Sequence, residues 1–453
     1  MLDDAAAVDL VGDLRRHRQT EHQRLRRLDT YLQPRDPGDW SPTWLPAGSP
    51  VELKRIARIA HVPVLPYVVD AAVQSLYVDD FRLGDDVGGG DVAAWQAWQA
   101  NQMDARQVAV HRAAASYGTA YTVITPSDDA PWPAVRGRSP WKMTAVYGDD
   151  DRWPVWALES VDVLDGVAWR LWEPGAVHLL AAKSETAPPE LVSTRTFGLD
   201  YVPIVRYRPG ADLDDRCLGV VEPLLDLAEQ IDLTTFSLKV AEHYGAHRQR
   251  WIIGWLAESE TQALKTAAST LWQLDPGAGE EARDIKIGEF EQTDLSGYIE
   301  SREATLRHVA TISQTPVHEL LGSLANLSAE ALVAARDSHA RKLVEHKTML
   351  GESHEQTLGV AGELMGQPWD PAASVRWRDM EARSLAQTAD ALGKLVTMLG
   401  VPAEAVWELI PGVTKDDLGR WKSMADDADP LRELLGTVGR QEAAPVSDLT
   451  AGG

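Results

Sequence analysis

The chain has 453 residues, 44% of them hydrophobic and 25% charged, a composition that excludes collagenous and disordered classes and allows two to four compact units. Its one cysteine, Cys217, excludes an intrachain disulfide and a zinc site built from several cysteines. Asp and Glu number 68 against 44 Lys and Arg, a net charge of −24, which opposes any role that grips nucleic acid through a basic surface.

The opening MLDDAAAVDL is acidic and lacks the basic-then-apolar order of a secretion signal, so a cytoplasmic origin is expected. Residues 4–33 read as a helix, with Leu10, Leu14, Leu25, Leu28 and Leu32 at helical spacing and a basic middle at Arg15, Arg16 and Arg18. A Pro/Gly-rich linker occupies 34–50. Residues 51–78 predict a second helix broken near Pro63 and Pro66, followed by a short strand at 79–83. The apolar run 62–73 is interrupted by Pro63, Pro66 and Asp70, so no membrane span is expected. Asp91 is placed to cap a third helix with Trp95, Trp98, Met103, Val108, Ala115 and Tyr117 on its apolar side, ending at Gly118, and TAYTVITP follows as a strand.

From 132 to 208 the pattern turns to β. Apolar, β-branched runs at 143–147, 153–158, 167–172, 176–181 and 202–207 predict one antiparallel meander filled by Trp153, Trp156, Trp169 and Trp172. A helix is expected over 218–250, with Pro223 in its first turn. Two strands, WIIGWL and IKIGEF, then flank a helix at 259–270 and an acidic turn. A helix near 294–313 is stopped by Pro316, and Ser328 caps a long helix reaching about Met365, with Glu330 in its first turn. VRWRD (375–379) is a strand, and 381–439 is helical before a polar tail. No period of 20–50 residues recurs. The expected class is α+β, mainly helical, with an antiparallel β insert.

Catalytic chemistry finds little support. No G-x-x-x-x-G-K-[ST] and no G-x-S-x-G occurs, and Gly88–Gly90 lacks the lysine of a phosphate cradle. His243 and His247 have possible metal spacing, but Glu242 precedes the first histidine and Gly245 weakens the helix. His339, His346 and His354 span ~22 Å of helix and cannot share one ion; interleaved with Leu343, Leu350 and Leu358, they read as packing residues. Asp149, Asp150 and Asp151 read as a hairpin turn, and Asp214 and Asp215 likewise as a solvated loop. The expectation is no cofactor, no metal and no enzymatic activity.

Three groups of segments, in this order, carry a resemblance. LPYVVDAAVQSLYVDDFRL precedes WQAWQANQMD and HRAAASYGTAYTVI; VPIVRYRPG leads into GVVEPLLDLAEQIDLTTFSLKVAEHYGAHRQRWIIG; TISQTPVHELLG is followed by LANLSAEAL. Together they resemble the portal-protein family of siphophages, particularly its actinobacterial-phage branch, over roughly 50–425. The resemblance implies a phage portal fold: a wing (1–223), a first stem helix (224–249), a clip (250–292) and a second stem helix (293–315). A tunnel loop, long helix and return strand (316–380) and a crown with polar tail (381–453) follow.

It further implies a homo-oligomeric ring of twelve subunits at one capsid vertex of the virion, assembled in the host cytoplasm. The implied partners are a terminase motor, major capsid and scaffold proteins, a head–tail adaptor and double-stranded DNA passing without sequence-specific binding, and no membrane. Site residues follow by position. Gly322, Ser323, Leu324, Ala325 and Asn326 would form the tunnel loop, and Trp251, Trp255 and Trp272 would serve clip contacts. Asp294, Glu300 and Glu303 are candidates for an acidic channel lining that repels DNA, or else for exposed pairs with Arg302 and Arg307. Two other readings stand beside this one: another minor head or capsid protein, and a hydrolase using Asp149–Asp151 or His243 and His247.

Overall fold

The computed structural model describes residues 2–33, 42–84, 92–149, 152–245, 250–253, 286–289, 294–322, 329–378 and most of 385–427. In chain order the helices are α1 (Asp4–Leu32), α2 (Val51–Ala60), α3 (Val64–Val73), α4 (Ala93–Ala100), α5 (Met103–Tyr117), α6 (Leu225–Gly245), α7 (Ser296–Ser313), α8 (Val317–Leu321), α9 (Ala329–Leu364), α10 (Leu385–Leu399), α11 (Ala403–Trp407) and α12 (Lys415–Asp427). The strands are β1 (Val78–Arg82), β2 (Ala120–Thr125), β3 (Ala134–Arg138), β4 (Met143–Tyr147), β5 (Pro154–Val161), β6 (Val167–Glu173), β7 (Ala176–Ala182), β8 (Glu190–Thr196), β9 (Ile204–Tyr207), β10 (Arg250–Ile253), β11 (Lys286–Glu289) and β12 (Ser374–Trp377). The class is α+β. The chain divides into one unit of residues 1–30, 66–222 and 336–453 and another of 31–65 and 223–335.

In the first unit, β4-β5-β6-β7-β8 form an antiparallel meander, β3-β2-β9 a second antiparallel sheet, and β1 pairs with β12. Alternation gives the five-stranded sheet two faces. Leu158, Trp169, Leu171 and Leu180 pack under Ala7, Val11 and Leu14 of α1. The arginines in the middle of α1 dock it there. Arg15 lies 4.6 Å from the centre of the Trp169 ring, and buried Arg18 donates to the Ser160 hydroxyl and the Trp141 carbonyl. On the other face, Ala157 and Trp172 join Tyr121, Val123, Val202 and Ile204 of the smaller sheet and its approach. The largest cluster brings α4, α5, β2 and β9 against Leu350, Leu358, Val360 and Ala361 of α9.

Four expectations change. The single helix of 91–117 is two helices, because Asn101 is taken up by the neighbouring sheet. Its Nδ2 donates to the Ala97 and Pro133 carbonyls at 2.8 Å, its Oδ1 accepts the Val135 N–H at 2.9 Å, and Gln102 turns left-handed at φ 55°. The α4 N-cap is Val92 without a side-chain bond; Asp91 lies outside the described residues. The run 202–207 leaves the meander and pairs with β2. Its residues are apolar on both sides, with Ile204 in the inter-sheet cluster and Val205 and Tyr207 in the large one, whereas β8 is an almost wholly exposed edge. Strands β3 and β8, polar in sequence (AVRGR, ELVSTRT), carry too weak an alternation to be read beforehand. The stretch Val51–Val73 passes the length and composition test for a membrane span, but 56% of its 18-residue apolar window, of mean hydropathy 1.4, is buried inside the protein, and the stretch is divided between α2 and α3.

Candidate functional site

The second unit is built on α6. Asp232, buried on α6, accepts the Val62 N–H at 2.8 Å with one oxygen and contacts His61 Nδ1 at 2.7 Å with the other. It therefore satisfies the backbone where α2 ends before Pro63. Glu229 accepts the Thr43 hydroxyl at 2.8 Å, and Phe236 lies 4.9 Å from the Trp44 ring. His243 contacts Glu52 Oε1 at 2.6 Å, so it ties α6 to α2. His247 lies outside the described residues, among which no group of three or more metal-ligating side chains exists.

Helix α7 packs on α6 and buries Thr305, Val309, Ala310 and Ser313. Its opposite stripe, Glu300, Ala304, Arg307, His308 and Thr311, is exposed. The three acidic candidates differ in situation. Asp294 lies just before the helix, accepting the Ser296 N–H and hydroxyl at 2.9 Å each, and the backbone bond holds its carboxyl below the usual range. Glu303 accepts from Arg307 at 3.1 Å, one turn apart. Glu300 is exposed without a partner among the described residues. Arg302 is half-buried, and its Nε has no hydrogen-bond partner among the described residues.

Helix α7 ends where Gln314 turns left-handed at φ 56° and the Thr315 N–H reaches the Ala310 carbonyl at 3.0 Å. Pro316 precedes α8, which closes on Gly322 at φ 65°, its N–H bonded to the His318 carbonyl at 3.0 Å. Gly322 thus supplies the left-handed residue a helix end favours. Ser323, Leu324, Ala325 and Asn326 lie outside the described residues, as do Trp255 and Trp272. Trp251 is on β10, opposite Gly288 of β11 in an antiparallel two-stranded ribbon.

Further along α9, in the first unit, a buried polar chain that sequence reasoning missed fixes the helix to the sheet. Thr357 Oγ1 lies 2.8 Å from Thr122 Oγ1 and 2.7 Å from the Tyr207 hydroxyl. That hydroxyl lies 3.1 Å from His354 Nδ1, and His354 Nε2 lies 2.7 Å from His111 Nε2. Burial pushes His111 down to about 4, against a smaller opposing effect of the Leu76 backbone. It pushes His354 further in the same direction, helped by His111. Both rings are therefore neutral near pH 7 and share one proton between the facing nitrogens. The Leu350 and Leu358 stripe marked His354 as buried; its partners lie 147 to 243 residues away.

The family model described as phage portal protein, SPP1 Gp6-like, matches residues 12–431. The portal protein of Mycobacterium phage D29 is 27% identical over 368 residues, covering 76% of this chain and 74% of that protein. The portal protein of Mycobacterium phage L5 is 25% identical over 378 residues, with the same coverage. Among solved structures, a chain from the virion of a native gene transfer agent particle aligns at a TM-score of 0.47 with 16% identity, over 81% of this chain and 96% of that one. A chain from the neck of the native particle, computed with C12 symmetry, aligns at 0.43 with 15% identity, over 80% and 92%.

Proposed function

Since the chain belongs to the SPP1 Gp6-like phage portal protein family, we propose that twelve copies close into a ring at one capsid vertex of the virion, the passage through which DNA is packaged and ejected. The family match carries this reading, because it runs from within α1 to beyond α12. In this assignment residues 1–223 form the wing, α6 and α7 the two stem helices, and 250–292 the clip, with Trp251, Trp255 and Trp272 offered to partners. Residues 316–380 supply the tunnel loop, with Gly322 at its base, and the return of α9 and β12 to the wing; 381–453 form the crown. Terminase, head–tail adaptor, major capsid and scaffold proteins dock on the ring, which is assembled in the host cytoplasm. The ring conducts and performs no catalysis.

Electrostatics supports a conduit. DNA carries one charge per ~1.7 Å of its axis, and each copy brings a net −24, so a lining that includes Glu300 repels the duplex and leaves it free to slide. The mixed stripe of α7, with Arg307 held by Glu303, leaves Glu300 as a carboxylate without a partner among the described residues. Light scattering on the purified protein tests the assembly. A species of about 600 kDa is expected from twelve 49.7 kDa copies, and a strictly monomeric mass at every salt concentration refutes it. A filter assay at 150 mM salt is expected to show no retention of duplex DNA by the assembled species; tight retention refutes the conduit.

A further inference from the structure

A cleft of about 340 Å³ opens between the two sheets of the first unit, walled by β2 and β3 on one side and β5 to β8 on the other. In a chain with an acidic excess of 24 charges, this cleft is lined by four arginines, Arg136, Arg138, Arg170 and Arg195. Glu159, buried, accepts from Arg138 at 2.6 Å and Arg170 at 3.2 Å, and exposed Asp128 accepts from Arg195 at 2.7 Å. Arg136 is exposed and has no partner among the described residues. Four cations against two anions leave the cleft positive. Trp172 and Phe197 supply apolar wall, and the Trp172 indole N–H is buried without an acceptor among the described residues. Such a site fits an anionic group attached to an apolar one.

The same unit carries a segment of that description. The turn between β5 and β6 reads Asp162-Val163-Leu164-Asp165, and its Leu164 is fully exposed, at 104% of its reference area. The turn is pinned, since Gly166 takes φ 79° and a Cβ there would lie 2.4 Å from the Ala182 carbonyl oxygen. Among the described residues, Asp165 is exposed without a partner, and Asp162 holds only half-exposed Lys142. A second exposed leucine between aspartates, Leu213, differs on this point. Asp212 and Asp214 are bound to Arg216, and Asp215 to Arg206 and Arg208.

A closed ring joins two different faces of each copy, and an apolar projection on one face that fits a pocket on another is the form such head-to-tail contacts take. We propose that the β5–β6 turn of one copy seats in the arginine cleft of the next, Leu164 against Trp172 and Phe197 and its flanking carboxylates among the arginines. The proposal rests on the ring reading and assigns it a contact surface.

Paired cysteines test it directly. In a Cys217→Ser background, Leu164→Cys on the turn and Ser193→Cys at the exposed rim of the cleft are treated with a short bis-maleimide. The expected result is a ladder of covalent oligomers on a denaturing gel, absent from either single-cysteine protein. Rings visible by electron microscopy with no ladder overturn this contact and leave the ring standing. The absence of any ring in the untreated wild-type protein overturns the ring itself. A second variant, Arg136→Glu, exposed and outside the core, is expected to lower the assembled fraction at least tenfold at low salt with an unchanged melting temperature. Assembly equal to wild type overturns the contact.

Discussion

Lowering the pH from 7 to 5 loosens the first unit through one pair of side chains. His111 and His354 meet nitrogen to nitrogen at 2.7 Å, both fully buried, and one proton between them satisfies the contact. A second proton would place an imidazolium where burial has driven His111 to about 4, whereas an unfolded histidine titrates near 6.5. The unfolded chain therefore takes up protons that the native pair refuses, and stability is lost as pH falls from about 6.5 toward about 4. For His111 alone the loss at pH 5 is about 2 kcal/mol, at 1.36 kcal/mol per pH unit, and His354, shifted in the same direction, adds to it. Urea unfolding at pH 7 and pH 5, followed by tryptophan fluorescence, measures the difference. Trp98, whose ring centre lies 5.3 Å from that of His354, reports locally. The double variant His111→Phe with His354→Leu removes both titrating rings, and comparing each protein with itself cancels any change in packing. The wild type should lose at least about 2 kcal/mol more than the variant. Equal losses refute the reasoning. His346, also pushed down to about 4, first by burial and then by Lys342 and His339, leaves the variant a residual slope.

Tyr207→Phe removes the hydroxyl bonded to Thr357 and His354 and is expected to cost about 1–3 kcal/mol in urea unfolding at pH 7, the range for stranded buried polar groups. Asp232→Ala removes the acceptor of the Val62 N–H and a contact of His61; a loss of about 1–3 kcal/mol is expected, while Gln230→Ala, exposed on the same helix, serves as the control. Gly118→Ala places a Cβ 2.2 Å from the Cys217 carbonyl oxygen under a φ of 79°, so a lowered melting temperature or insoluble protein is expected.

Elements whose apolar residues keep one period were legible in the sequence: α1, α6, α7 and the meander through β7. The break between α2 and α3 was legible from its prolines, though not the role of Asp232, which comes from a helix 170 residues away. Strands β3 and β8 were hidden because their arginines line a cleft instead of alternating with a core. The kink at Gln102 was hidden because its cause, Asn101, bonds Pro133 and Val135, 32 and 34 residues away, as well as Ala97 of its own helix. The same holds for the site residues. Asp294 was placed by its position in the resemblance and by its charge, whereas its bonds to Ser296 hold it just ahead of α7. The partners of His354 required the folded chain.

Electron microscopy of the purified wild-type chain tests the central claim most directly. Class averages are expected to show closed rings of identical subunits around an axial hole that passes a DNA duplex, with twelve-fold symmetry when the ring is taken from particles. A population of single compact copies, or of oligomers with no opening along the axis, would contradict the account.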